Sequence, residues 1–248
     1  MAIKKIYLTK RNQATTHEEF RENWRGHTRL GRTFPNLLSY FDAIRQCAVL
    51  SSGTAADGSS EYDGVNLLTM GSIVEAVRVL SDPALNSMLE DELPVFAGPV
   101  KYVTLVAEET VLFGGSTTDV VFLRFIRTKE PMEITDFIQS WSVEYGSLIT
   151  QLSCYSQAIK RYVHNHTIFP TPDGFKWDGV EEMWFEDHES ARVFVTDPGY
   201  QELSSAERDW LAPPQTSLLC EINSSWIRGV DTLGGPDSGK RSSQQGLR

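Results

Sequence analysis

Long apolar runs are absent from this chain. Nowhere in its 248 residues does a stretch approach the ~18 apolar residues that a membrane helix needs. Met1-Ala2-Ile3-Lys4-Lys5 leads straight into a strand-like run with no apolar signal region, so a cytoplasmic location is expected. Cationic surplus is also lacking. The 23 Lys and Arg against 33 Asp and Glu leave a formal net charge of −10, the wrong sign for displacing counterions from nucleic acid or for lying on an anionic membrane. Neither partner is expected. Cysteine is scarce and odd in number, and Cys47, Cys154 and Cys220 have neither metal nor redox spacing. They read as reduced core thiols. No phosphate loop, no dinucleotide glycine fingerprint and no Gly-x-Ser-x-Gly elbow occurs, which leaves phosphoryl transfer, nicotinamide redox and serine hydrolysis without support.

What is present is repetition. Tyr62-Asp63-Gly64-Val65 opens a stretch running through Ala76 and Val79 to Ser81-Asp82-Pro83, and Trp177-Asp178-Gly179-Val180 opens one running through Ala191 and Phe194 to Thr196-Asp197-Pro198. The offsets agree, 178 − 63 = 115 and 197 − 82 = 115. Upstream, Phe20 and Trp24 answer to Phe137 and Trp141 at an offset of 117, and Tyr40 answers to Tyr155 at 115. A tandem duplication is the economical reading. The 40% hydrophobic content suffices for a core in each half.

Each half reads strand, helix, strand, strand, helix, strand, the ferredoxin-like order. In the first, Ile6-Tyr7-Leu8 is a strand, and Thr16 with Glu19 forms a capping box. Phe20, Trp24, His27 and Leu30 then share one helical face, ended by Gly31 and Pro35. Leu37 to Val49 is a strand ending in the Ser51-Ser52-Gly53 turn region. Residues 65–70 give another strand, 72–80 a helix stopped at Asp82-Pro83, and 100–107 the last strand. The second half repeats this at 120–126, 134–145, 153–163, 180–185, 190–195 and 217–222. The expected fold class is α+β, two tandem ferredoxin-like units burying their bare sheet faces against each other as an intramolecular dimeric α+β barrel. The units span 1–112 and 120–230, joined by a 113–119 linker around Gly114-Gly115-Ser116. A tail from 231 to 248, rich in Gly, Ser and Gln, is expected to be disordered.

Lys10-Arg11, Glu19-Phe20, Trp24 and His27, then Tyr40, Tyr62-Asp63-Gly64-Val65 and Asp82-Pro83 together resemble the EthD family of the dimeric α+β barrel superfamily. The second half, with Phe137, Trp141, Tyr155, Trp177-Asp178-Gly179-Val180 and Asp197-Pro198, looks like a second, more divergent unit. The resemblance covers residues 4–225. It implies a cofactor-free site for an aromatic or polyketide-like small molecule in the cleft between sheet and helices, in a superfamily that includes decarboxylases, cyclases, hydroxynitrile lyases, lactone isomerases and quinone-forming monooxygenases. Three residues on from Trp141 stands Glu144, beside Tyr145, so the second unit lacks the helix-one histidine. The two clefts should differ chemically.

His27 is the first candidate for chemistry, since imidazole passes protons near neutral pH; its alternative is a histidine capping a helix C-terminus. Phe20 and Trp24 are cleft walls or core, and Tyr7 on the first strand is a further substrate contact. Tyr40 and Asp42 alternate on the expected second strand, where Tyr40 would donate to a carbonyl or phenolate and Asp42 would orient His27. Tyr62-Asp63 and Trp177-Asp178 suit turn chemistry, and Asp82 and Asp197 read as helix stops. His164 and His166 are the minimum of a metal pair with no third ligand at recognisable spacing, in a loop-like setting, so no metal is expected. Arg124, inside the apolar strand 120–126, is paired with a buried carboxylate or receives an acidic substrate.

The function expected is a cofactor-independent lyase, a decarboxylase or dehydratase/cyclase, with His27 as acid/base and Tyr40 as oxyanion donor. The alternatives are cofactor-free oxygenation of a phenol and a non-catalytic carrier of a hydrophobic metabolite. A monomer holding an internal pseudo-dimer is favoured over a homodimer.

Overall fold

Eight strands close into one barrel in the computed structural model, which describes residues 2–50, 61–129, 132–207, 210–212 and 216–230. β1 (Ile3–Thr9), β2 (Ala43–Val49), β3 (Gly64–Met70) and β4 (Thr104–Phe113) come from the first half. β5 (Val120–Ile126), β6 (Ile159–Thr167), β7 (Gly179–Phe185) and β8 (Thr216–Ile227) come from the second. Around the barrel the order is β1-β3-β2-β8-β5-β7-β6-β4, antiparallel throughout. Each half contributes the same sub-order, β4-β1-β3-β2 and β8-β5-β7-β6. The halves join where β2 meets β8 and β4 meets β6. Among the described residues no edge strand remains, since each of the eight strands pairs on both sides within the chain.

Strand alternation sorts side chains into two layers. On β1, Lys4, Ile6 and Leu8 point into the barrel, whose core also holds Leu67, Val121, Leu123 and Trp184; Ile3 and Tyr7 point outward under helices. The first half's helices are α1 (His17–Arg32), α2 (Pro35–Leu38), α3 (Ile73–Val79), α4 (Ala84–Glu90) and α5 (Glu92–Val95). Those of the second are α6 (Ile134–Ile138), α7 (Gly146–Gln151), α8 (Tyr155–Ala158), α9 (His188–Val195) and α10 (Pro198–Ala206), with a π-helical stretch Gln139–Tyr145 joining α6 to α7. The capping box at α1 is present, with Glu19 N donating to Thr16 Oγ1 (3.2 Å) and Thr16 N to the Glu19 carboxylate (2.8 Å).

The repeated Asp-Gly marks have a shared physical cause. Asp63 accepts from the Arg11 N–H (2.8 Å) and Asp178 from the Thr128 N–H (2.7 Å), each tying the segment after one strand to the start of its neighbour. The six-membered rings of Trp24 and Trp141 pack against the glycines that follow the two aspartates. A Cβ on Gly64 would stand 2.6 Å from Trp24 Cη2, and one on Gly179 would stand 2.7 Å from Trp141 Cη2. Asp82 and Asp197 do more than stop helices, since their carboxylates accept from the Ala84 N–H (2.9 Å) and the Gly199 N–H (2.9 Å) at the start of the next helix.

Several boundaries differ from expectation. Pro35 starts the short α2 instead of leaving an open strand, so β2 begins only at Ala43, and Tyr40 and Asp42 precede it. The last strand of the first half starts at Thr104, after a 3₁₀ turn at Val100–Tyr102, and reaches Phe113, the first residue of the expected linker. β6 is displaced to Ile159–Thr167, so His164 and His166 sit in a strand, not a loop. The Ser51-Ser52-Gly53 turn and the 231–248 tail lie outside the described residues. Cys47 and Cys220 are buried, Cys154 is half-buried, and all three are free thiols.

Candidate functional site

Between the outward face of the first sheet and its helices lies a cavity of about 90 Å³. Its floor comes from alternate positions on paired strands, Lys5 and Tyr7 of β1 beside Ile44, Asn66 and Leu68. The roof comes from His27 and Thr28 of α1, Leu37 of α2, Met88 of α4 and Glu92 of α5. Most of the wall is apolar, and the polar groups converge from different elements. That is the usual composition of a small-molecule site.

His27 is 7% exposed, and its Nδ1 meets Asp91 Oδ2 at 2.8 Å. A carboxylate on Nδ1 fixes one ring proton and leaves Nε2 to accept or donate. The partner expected for that role was Asp42. Asp42 instead lies half-exposed at the barrel mouth and pairs with Arg228 at 3.2 Å, so the expected Asp42–His27 contact does not form. Tyr40 is likewise elsewhere, its hydroxyl donating to Asp82 Oδ2 at 3.2 Å, and it does not line the cavity. The short α2 and the turn after it place Tyr40 before the sheet, and Asp42 joins the sheet only at its end, its N–H donating to Thr69 O at 2.7 Å.

Tyr7 does line the cavity. Asn66 Nδ2 donates to its oxygen at 2.6 Å, and burial pushes the phenol up to about 12, with that hydrogen bond opposing, so Tyr7 stays neutral with its O–H left to donate. Phe20 and Trp24 are core rather than wall. They are 1% and 0% exposed, stack on each other at 5.2 Å between ring centroids, and do not border the cavity.

Two ionisable residues at this site were missed. Lys5 is half-buried and makes no hydrogen bond or ion pair among the described residues; burial lowers its ammonium pKa, with Glu92 partly opposing. Glu92 is 4% exposed. Burial raises its carboxyl, against the Val100 N–H, which donates to Oε2 at 3.0 Å, and against the charges of His27 and Lys5. Period-2 alternation from Tyr7 would have pointed to Lys5, and Glu92 recurs as Glu207 at the 115 offset.

The corresponding place in the second half is filled by side chains. Tyr7 pairs across the ladder with Asn66, and Arg124 with Glu181, so Arg124 stands at Tyr7's position (124 − 7 = 117) and Glu181 at Asn66's (181 − 66 = 115). Arg124 Nη1 donates to Glu181 Oε2 (2.7 Å) and Tyr145 Oη (2.9 Å), and Nη2 donates to Glu207. Tyr162 Oη donates to Glu181 Oε1 at 2.5 Å. Burial pushes the Glu181 carboxyl up, but Arg124 and the hydrogen bonds from His164 and Tyr162 outweigh it and hold it at about 2. Glu207 goes the other way, raised by burial to about 7 despite Arg124. Arg124 therefore takes the first of its two expected roles, a buried ion pair. His164 and His166 are bridged by Ser142 Oγ, 2.9 Å from a ring nitrogen of each, and no group of three metal-ligating side chains forms among the described residues. Glu144 at the histidine's matched place is exposed and accepts from Gln139 (3.3 Å).

A second groove, bordered by Ile134, Phe137, Phe169, Trp177 and Asp178, opens at the surface of the second half. Among the described residues no helix is long and apolar enough to cross a membrane.

The EthD domain model matches residues 129–213, the half expected to be the more divergent. No curated protein matches the chain in sequence. Among solved structures, a candidate monooxygenase from Fusobacterium nucleatum subsp. nucleatum superposes with a TM-score of 0.60 at 6% identity, covering 92% of this chain and 95% of that one. An anthrone oxidase-like protein superposes at 0.58 with 10% identity, covering 92% and 93%. A chlorite dismutase from Candidatus Nitrospira defluvii superposes at 0.51 with 10% identity, covering 89% and 90%. Such low identities carry the α+β barrel fold and leave the chemistry to be argued from this chain's residues.

Proposed function

We propose that this chain, whose second half carries an EthD domain, is a tandem duplication of two ferredoxin-like EthD units, and that its first cleft is the active one: a cofactor-independent lyase site for a small carbonyl compound. The duplication is supported by equal strand sub-orders, by the two tryptophan-on-glycine contacts and by the matched ties that Asp63 and Asp178 make to Arg11 and Thr128. The observation that carries the lyase reading is the convergence of His27–Asp91, Tyr7–Asn66 and Glu92 on one mostly apolar cavity. Decarboxylation or dehydration needs a proton donor, a proton acceptor and a hydrogen bond to a developing enolate oxygen. His27 Nε2 serves as acid/base, and the Tyr7 hydroxyl takes the oxyanion role expected of Tyr40.

Size narrows the substrate. The cavity is smaller than the roughly 150 Å³ that encloses a benzene, so it takes a compact acid or the reacting end of a longer molecule, with the remainder in the mouth. The names of the structural neighbours favour one second reading, oxygenation of a phenol that reaches the cavity from its mouth and is not enclosed by it.

The test is turnover of a panel of small β-keto and β-hydroxy acids without added cofactor, followed by mass spectrometry and oxygen consumption. Loss of carbon dioxide or water by the substrate, reduced about 100-fold or more in His27→Ala, is the expected result. Turnover unchanged in that variant removes His27 from the mechanism. Oxygen uptake in step with substrate loss replaces the lyase with the oxygenase.

A further inference from the structure

The cleft holds a cationic nitrogen that the proton-transfer reading leaves idle. Lys5 lies on β1 two residues before Tyr7, on the same outward face, and its side chain borders the cavity. Its ladder neighbours are Leu68 and Val106, so no carboxylate stands opposite it in the sheet. Among the described residues it forms no ion pair or hydrogen bond, whereas the barrel's inward-facing Lys4, one position away, is held by two carboxylates at 2.6 Å each. In the second half Phe122 occupies the matching position (122 − 5 = 117), so the architecture does not require an amine there. Glu92, across the cavity on α5, is the carboxyl group nearest in electrostatic influence, and its oxygen is anchored by the Val100 N–H. An amine in an apolar cavity, unneutralised by a salt bridge among the described residues and sharing that cavity with a carboxyl group, is arranged as a nucleophile toward carbonyl carbon.

We propose that Lys5 is a catalytic residue that condenses with a ketone or aldehyde substrate to form an imine, and that the preferred substrate carries a carboxylate β to that carbonyl. The inference rests on the reading of this cleft as a carbonyl-chemistry site and names its substrate class. The Lys5 ammonium first passes a proton to the Glu92 carboxylate; its Nζ lone pair then bonds to the carbonyl carbon while the C–O π pair moves to oxygen, which takes that proton from the Glu92 carboxyl. The added nitrogen loses a proton to His27 Nε2, and the carbinol oxygen leaves as water with a further proton returned through the same acids, giving a C=N⁺ iminium. The bond to the β-carboxylate then breaks, its electron pair flowing into the iminium as carbon dioxide departs and an enamine forms. Protonation of the enamine carbon and re-addition of water release the ketone and restore the Lys5 amine. The sum is β-keto carboxylate plus a proton to ketone plus carbon dioxide, with no electrons left over.

Borohydride trapping with acetoacetate as the probe tests this on the full chain. Wild type and Lys5→Arg, the latter checked for an unchanged circular dichroism spectrum, are incubated with the probe, reduced, digested and mapped by mass spectrometry, with turnover followed in parallel. The expected result is a reduced isopropyl adduct on Lys5 and loss of both adduct and turnover in Lys5→Arg, which keeps the charge but cannot form the imine. Turnover without a Lys5 adduct, or turnover surviving in Lys5→Arg, overturns the imine while leaving the lyase reading intact. A Lys5 adduct without turnover supports the nucleophile and overturns the lyase reading instead. Adducts spread equally over Lys5 and surface amines such as Lys101 show ordinary amine reactivity and overturn the proposal.

Discussion

At the residue scale, the two tryptophan-on-glycine contacts show why single positions in this chain carry more than their own side chain. Trp24 and Trp141 are both wholly buried, and each six-membered ring fills the space that a side chain on the facing strand would need. Gly64→Ala or Gly179→Ala must therefore push a large, packed ring aside, and overpacking of this kind costs about 1–3 kcal/mol. Urea unfolding should show a lowered midpoint in either variant with a similar m-value, and a neutral Gly64→Ala would mean the ring has room to move. This contact was half legible. The sequence shows the aromatic pair and the Asp-Gly marks repeating, but not that they meet, because about 40 residues separate Trp24 from Gly64. His27 was readable from its helical face. Asp91, its partner, was not, since it lies in the junction between two short helices with no apolar period to announce them.

At the element scale, the same layer of strand and helix makes an open cleft in one half and a closed ionic cluster in the other. β5, β7 and the end of α10 deliver Arg124, Glu181 and Glu207 to one buried point, where one guanidinium serves two carboxyls. Glu207 titrates at about 7 in the fold against 4.5 ordinarily, so between those values the folded state keeps a proton that the unfolded chain has released. Stability thus falls as pH rises through that window. His166, pushed by burial down to about 4, works oppositely, gaining stability as pH rises from there to about 6.5. Glu207→Gln removes the first effect and keeps the second. Its stability relative to wild type should rise between pH about 5 and about 7 in chemical denaturation, and a constant difference would show that Glu207 is ionised throughout. The strand pattern signalled a charge that had to be paired at Arg124, but not its partners. Glu181 stands beside Glu182 in a strand buried at every position, so no alternation tells which carboxylate faces Arg124, and Glu207 closes a helix whose end the sequence does not mark.

At the scale of the whole molecule, the barrel interior is where the two halves recognise each other, and it is not symmetric. Lys4 of β1 bonds to Glu109 of β4 and to Glu182 of β7, the second contact crossing between halves, with Asn165 Nδ2 (2.8 Å) and Trp184 Nε1 (3.1 Å) also donating to Glu182. The positions matched to Lys4 and Glu182 are Val121 (121 − 4 = 117) and Leu67 (182 − 67 = 115), both in the apolar core of the same barrel. One end of the interface is therefore ionic and the other apolar, an asymmetry that opposes pairing of two like halves from different chains. Breaking a buried pair by removing one partner costs about 3–5 kcal/mol, whereas replacing both with well-packed apolar groups is often near neutral. Lys4→Val alone leaves the buried Glu182 without its cation, while Glu109 keeps Arg161 at 2.8 Å, and should be strongly destabilising. Adding Glu182→Leu should recover a large part of that loss, and a double-mutant cycle in urea should return a coupling of about 1 kcal/mol or more. Additive losses would show that the two side chains are solvated independently, and the ion pair would then have no part in joining the halves.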